Sequence, residues 1–229
     1  MNLAPLSPDT VDPDHPDRVR VDGYTVLPSV FDPALLARIG DDPEGQSPYP
    51  EIIGHPVLLS LVRAVLGGDP VIGWLGYNPG GVEATGQERV DPVHSDSPWL
   101  YPEAPLSLPP FGLAVTLPLR SDMNGRSGAP RLWTGGTHMA MSPVDVERMA
   151  ERMHSVQPAV PLGGLLVRDL RTWHCYAPNR SDVPCPSLTL AYTRPWYRLT
   201  VVPPPRLTQQ RLDSLTDDAR KLLRYADSR

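Results

Sequence analysis

The apolar positions between residues 20 and 70 change period twice. In "VRVDGYTVLPSVFD" a short extended run, Tyr24 to Leu27, is closed by a proline and predicts a strand. "FDPALLARIGDD" then predicts a helix, with Asp32 as N-cap, Pro33 at the first helical position and Gly40 at its end. In "PEIIGHPVLLSLVRAVLGGD", Val57, Leu58, Leu61, Val62 and Val65 recur at helical spacing and stop at Gly67 and Gly68, which predicts a second helix over 56–66.

After residue 70 the pattern becomes one of short β-type runs: "VIGWLGYN", "FGLAVTLPL", "APRLWTG", "GGLLVRDL", "TWHCYA" and "SLTLAYTRPWYRL", divided by Pro, Gly, Asn and Asp. One helix interrupts them, beginning near Ser142, where Ser-Pro-Val-Asp supplies a cap and a proline at the first helical position. The tail "TQQRLDSLTDDARKLLRYADSR" reads as helical. Residues 1–17 read as a flexible lead-in and 18–229 as one domain. The expected fold is mainly β with flanking helices, an all-β core of about eight strands closing as a barrel or jelly roll.

Composition supports that picture. Thirty prolines among 229 residues far exceed the usual share of about 5%. Proline breaks helix interiors, so short strands and many turns are expected. The net charge is −5 and no basic stripe occurs, which argues against nucleic acid as a partner. Lys221 is the single lysine, which removes Schiff-base chemistry from the expected list. The N-terminus has no apolar signal region, and no stretch approaches the roughly 20 apolar residues of a membrane helix. The expectation is a cytoplasmic protein with free thiols at Cys175 and Cys185, with neither nucleic acid nor membrane as partner.

The chemistry is carried by histidine. In "DPVHSDSPWL", His94 and Asp96 are two residues apart. On a strand they project to one face, while Ser95 points away. Two histidines and one carboxylate make the facial triad of non-haem iron(II) oxygenases, which leaves positions open for co-substrate and oxygen. A third ligand must come from another strand. Of the six histidines, His15, His55 and His154 lie in the lead-in, before a helix and within a helix. His138 in "GGTHM" and His174 in "RTWHCYAPN" remain, and His174 follows a strand-turn-strand pattern that suits a barrel-rim ligand.

Five stretches in order resemble the phytanoyl-CoA dioxygenase family of iron(II)/2-oxoglutarate oxygenases: "DGYTVLPSVFDPALL", "VHSD", "LPLRSDMNGRSGAPRLWTGGTH", "GGLLVRDLRTWHCYAPNRS" and "LTLAYTRPW". The resemblance implies a double-stranded β-helix with Fe(II) held by His94, Asp96 and His174. It implies 2-oxoglutarate and O2 as co-substrates. Related halogenases replace the carboxylate with a small residue; Asp96 is present here, so hydroxylation, desaturation or cyclisation is expected. High Arg, Ala and Pro usage fits a bacterium in which relatives tailor natural products.

The chain departs from the family at one position. Members place an arginine for the far carboxylate of 2-oxoglutarate about ten residues beyond the distal histidine; "NRSDVPCPSLTLAYTRPW" has Cys185 there, and a cysteine cannot form a bidentate pair with a carboxylate. Arg180 is the candidate substitute. Strand alternation turns Arg194 outward. The alternatives are an iron enzyme on the same scaffold that does not use 2-oxoglutarate, a non-catalytic jelly-roll binding protein and a zinc hydrolase. Asn78 is a further co-substrate candidate beside a plain turn reading. Arg131 and Trp133 share a face and line either the pocket or the outside. Trp99 and Tyr101 are candidates for an aromatic wall or lid, with the 102–110 loop beside them. His138 is expected to be structural, and Trp173 and Cys175 to point away from the metal.

Overall fold

The computed structural model describes residues 12–82, 89–97, 108–139, 141–200 and 202–228. Order begins earlier than expected. The first helix, α1 (His15–Asp22), lies partly inside the segment read as lead-in. His15 is buried and its Nδ1 lies 2.7 Å from Thr25 Oγ1, which ties α1 to the first strand, β1 (Tyr24–Leu27). Gly23 joins the two at φ 82, a left-handed conformation that favours glycine. A side chain there would also meet Thr137 Oγ1 at 2.2 Å.

The expected helices form. In α2 (Pro33–Asp41), Asp32 accepts from the Ala34 N–H. Two single-turn helices, α3 (Pro43–Gln46) and α4 (Pro50–Ile53), lead to α5 (Pro56–Leu66), which occupies the range its apolar spacing predicts. Five antiparallel strands follow in the order β1-β5-β3-β7-β2, with β2 (Val71–Asn78), β3 (Gly112–Pro118), β5 (Leu165–Asp169) and β7 (Ser187–Thr193). One face of this sheet is apolar. Leu113, Val115, Leu188 and Leu190 pack there against Leu36 and Leu58 of the helices. Burying these side chains is the main stabilising term, about 1.5–3 kcal/mol for each large aliphatic group.

A second layer faces the other side. β4 (Pro130–Trp133) pairs with β6 (Trp173–Tyr176). Antiparallel bridges extend this pair on both sides, Leu132 with Val156 and His94 with His174. Outside the layer lies α6 (Pro143–Ala150), where Ser142 accepts from the Asp145 N–H as its cap. The tail is not one helix. It forms α7 (Gln209–Asp213) and α8 (Asp217–Leu222), flanked by the parallel pair β8 (Arg206–Leu207) and β9 (Asp227–Ser228). Two antiparallel layers with helices packed on the outer side of each make the expected jelly roll. Among the described residues no helix is long and apolar enough to cross a membrane.

Candidate metal centre

The register of the second layer places the two histidines side by side. His94 and His174 exchange backbone hydrogen bonds of 2.9 and 2.8 Å, so they form a directly opposed pair on one face. Their ring centroids are 4.3 Å apart. The Asp96 N–H donates to the Leu170 carbonyl, which anchors the far end of the H-x-D segment. The turn between β5 and β6 is itself held by Arg171, which makes a two-pronged pair with buried Asp169 and donates to the Leu108 carbonyl.

Each imidazole is oriented through its other nitrogen. His94 Nδ1 lies 2.9 Å from the Pro92 carbonyl and 3.3 Å from Asp91 Oδ2. His174 Nδ1 lies 3.1 Å from the Thr172 carbonyl. A carbonyl only accepts, so a proton on Nδ1 satisfies both contacts; at His174 the Thr172 carbonyl is the nearer partner and Arg168 Nη1 stands further off at 3.4 Å, and in this tautomer both Nε2 atoms are bare donors to a metal. Those Nε2 atoms stand 3.9 and 3.7 Å from Asp96 Oδ1. One ligand atom from each of the three residues fits within 4.8 Å. His174 is sealed in at 1% exposure, whereas the His94 side chain is 41% exposed, so the centre opens on the His94 side.

Arg168 was not anticipated. It is 3% exposed, and its Nη1 lies 2.6 Å from Asp96 Oδ2. Asp96 therefore offers one oxygen to the arginine and turns the other toward the histidines. Burial pushes the Asp96 carboxyl up, but Arg168 and His174 together hold it down to about 2. Burial and then the Arg168 charge hold His174 down to about 3. Both residues are thus in their metal-binding forms at neutral pH. In sequence, Arg168 sits inside the apolar run "GGLLVRDL"; a charge in a doubly covered strand was the available signal, since such a charge needs a buried partner.

The other expected site residues divide. Arg131 and Trp133 do share a face, but it is the outer one. Leu132, between them, lies opposite His174, whereas Arg131 lies opposite Cys175. Trp133 packs with Val146, Ala150 and Trp173 against α6, and its Nε1–H donates to the Ala150 carbonyl. These two are corrected from pocket lining to outer packing, because the period of a strand defines two faces without saying which is inward. Asn78 is exposed, and its Oδ1 accepts from the Gly80 N–H, which is the turn role. Arg180 is exposed, with its backbone N–H on the Arg126 carbonyl. His138 Nε2 lies 3.0 Å from the Arg20 carbonyl, a structural contact. Both cysteines are free and buried, and burial pushes the Cys175 thiol up to about 11. Trp99, Tyr101 and the 102–107 part of their loop lie outside the described residues.

Trp74 was also missed. A bulge between Ile72 and Trp74 shifts the register of β2 against β7. It turns Trp74 toward the barrel interior, opposite Ala191, while Ile72 stays on the helix side. The indole lies across Gly76, where a Cβ would approach it to 2.2 Å.

No family model matches the chain. Solved structures do. The non-heme alpha ketoglutarate dependent carbocyclase SnoK from nogalamycin biosynthesis superimposes with a TM-score of 0.64 at 15% identity, over 88% of this chain and 94% of that one. EctD from S. alaskensis with bound Fe gives 0.62 at 19% identity, over 89% and 82%. The epimerase SnoN in complex with Fe3+, alpha ketoglutarate and nogalamycin RO gives 0.61 at 18% identity, over 82% and 86%. Likeness at these identities establishes the fold, a cupin-type jelly roll shared with iron and 2-oxoglutarate enzymes. Iron and 2-oxoglutarate, the groups expected from the sequence, are those named for these neighbours.

Proposed function

We propose that this chain is a non-haem iron(II) oxygenase that uses O2 and a 2-oxo acid to oxidise a small molecule, as a tailoring step in bacterial natural-product biosynthesis. One observation carries the reading: two histidines with their Nδ1 atoms against carbonyls bring their Nε2 atoms to 3.9 and 3.7 Å from Asp96 Oδ1, close enough for the three residues to share one ion. The donor set suits a divalent iron, and three protein ligands leave positions open for co-substrate and O2. His94, Asp96 and His174 would hold the ion. Bound there, iron with O2 and a 2-oxo acid supplies a hydrogen-abstracting oxidant. The chain orients the ligands, keeps Asp96 to one coordinating oxygen through Arg168, and shields the centre with buried His174. Asp96 occupies the position that a halide would need, so hydroxylation, desaturation or cyclisation is the reaction class. Neighbours named for carbocyclisation and epimerisation in nogalamycin biosynthesis support that breadth.

A second reading, a jelly-roll binding protein without catalysis, draws on Arg168. It gives Asp96 a counter-charge without any metal, so an empty centre carries no unpaired carboxylate. Anaerobic titration of the metal-free protein with Fe(II) separates the two. Binding of one equivalent, followed by O2 uptake that depends on an added 2-oxo acid, is expected. Failure to bind iron leaves the binding-protein reading standing.

A further inference from the structure

The interior of the barrel can be followed from the metal centre toward the start of β7 by strand register. Leu132 stands directly across from His174. Leu166 lies two residues before Arg168 on β5, on the same face. Both pack with Cys185, Met123, Ala129 and Val160 in one buried apolar cluster. Cys185 is 4% exposed and continues the inward alternation of Ser187, Thr189 and Ala191. Ser121 Oγ donates to its Sγ at 3.6 Å. Beside this cluster the inward polar groups of β3 and β7 are hydroxyls, with Thr116 and Thr189 bonded to each other at 3.0 Å and Ser187 next in line.

No buried cationic side chain among the described residues joins that end. Among the described residues Arg168 is the one buried arginine, and it stands at the metal, paired with Asp96. A second carboxylate driven toward Cys185 would be a desolvated charge facing apolar groups and neutral hydroxyls. An alkyl tail in the same place meets Leu132, Leu166 and the thiol, and gains from leaving water.

We infer that the co-substrate subsite is built for a 2-oxo acid with a short uncharged tail, which it binds at least as tightly as the dicarboxylate 2-oxoglutarate. This rests on the reading of the site as an iron centre that takes a 2-oxo acid. The keto acid end, common to both classes, would meet the metal; the two classes differ in the tail, which would lie toward Cys185.

The test uses the full chain, loaded anaerobically with Fe(II). Iron binding is measured first and alone; its failure removes the iron reading itself, before any co-substrate is added. The loaded protein is then titrated separately with 2-oxoglutarate, 2-oxobutyrate and 4-methyl-2-oxopentanoate. Binding is read from the visible charge-transfer band of a chelated keto acid and from calorimetry. The expected result is a Kd for at least one uncharged-tail acid equal to or below that for 2-oxoglutarate. If 2-oxoglutarate is the tightest of the three, or if iron binds and no 2-oxo acid does, the inference is overturned. Cys185→Arg, checked by thermal melting and iron stoichiometry, should shift the preference toward 2-oxoglutarate by tenfold or more. An unchanged preference in a folded variant also overturns it; if the variant does not fold, the wild-type comparison decides alone.

Discussion

The metal end and the Cys185 end of the barrel interior are built on the same strands, two residues apart. On β5 the inward positions are Leu166 and then Arg168; across the second layer Leu132 faces His174. One step toward Cys185 the lining is apolar, and one step toward Asp96 it is charged. The difference shows how such a scaffold tolerates a buried ionic cluster. Charge appears only where each member has a partner: Asp96 for Arg168, carbonyls for both Nδ1 atoms. The rest of the interior is ordinary packing, and that packing holds the ligands in register.

The sharpest way to break this contrast is to remove a ligand. His174→Ala should lose stoichiometric Fe(II), because two remaining ligands no longer define a closed face on the ion. Equilibrium dialysis of the anaerobic variant reads the outcome. One bound iron per chain in that variant would mean that the three residues are not the centre. At the apolar end the opposite is expected. Leu132→Ala should cost about 2–5 kcal/mol of stability in urea unfolding, since Leu132 is fully buried against Leu166 and Val160. The folded fraction should still bind one iron. Loss of iron without loss of stability would place Leu132 in the metal site and erase the division.

How much of this could be read beforehand follows from what each residue depends on. His94 and Asp96 were legible as a pair because their two-residue spacing is local, although the structure forms a single bridge at His94 rather than a strand. The helix at 56–66 was legible for the same kind of reason, its apolar stripe and its Gly67 stop. His174 was harder, since His138 also remained, and it took the strand-turn-strand setting together with the ordered family resemblance to prefer His174. Arg168 showed only as a charge within an apolar run; its pairing was not legible, because its partner lies on a different segment and strand order decides that they meet. For Arg131 and Trp133 the shared face was legible and its side was not, since pairing with β6 and cover by α6 are tertiary facts. The start of order at His15 was hidden for a similar reason: His15 is held by Thr25, not by its neighbours.

A smaller effect is expected at the pair that links ligand and barrel. Arg168→Leu should weaken Fe(II) binding about 10–100-fold, the usual consequence of removing a group that orients a metal ligand. It should also change the pH response of the metal-free protein. In the wild type the folded Asp96 titrates near pH 2, below its ordinary 3.8, so its ionised form adds stability above about pH 4 that is lost as pH falls toward 2. Without Arg168 the burial of Asp96 loses its chief opponent, the folded carboxyl titrates higher, and the sign reverses: the contribution is present at low pH and lost as pH rises. Melting temperatures at pH 4 and pH 7 should therefore separate further at the higher pH. A gap between wild type and variant that is constant with pH would show that Asp96 does not depend on Arg168.

The smallest effect tests the outer side of the second layer. Trp133 is 5% exposed among Val146, Ala150 and Trp173, and its Nε1–H bonds the Ala150 carbonyl at 2.9 Å. Trp133→Phe keeps an aromatic ring in the cluster and removes one donor. The Ala150 carbonyl at the end of α6 then keeps only the Met153 N–H at 3.2 Å, and the lost bond should cost about 1 kcal/mol. Iron affinity should stay within twofold, because the side chain points away from Leu132 and His174. The two readouts together decide the face: a stability loss with unchanged iron binding keeps Trp133 on the helix side, whereas weakened iron or 2-oxo acid binding in a stable variant would return it to the pocket.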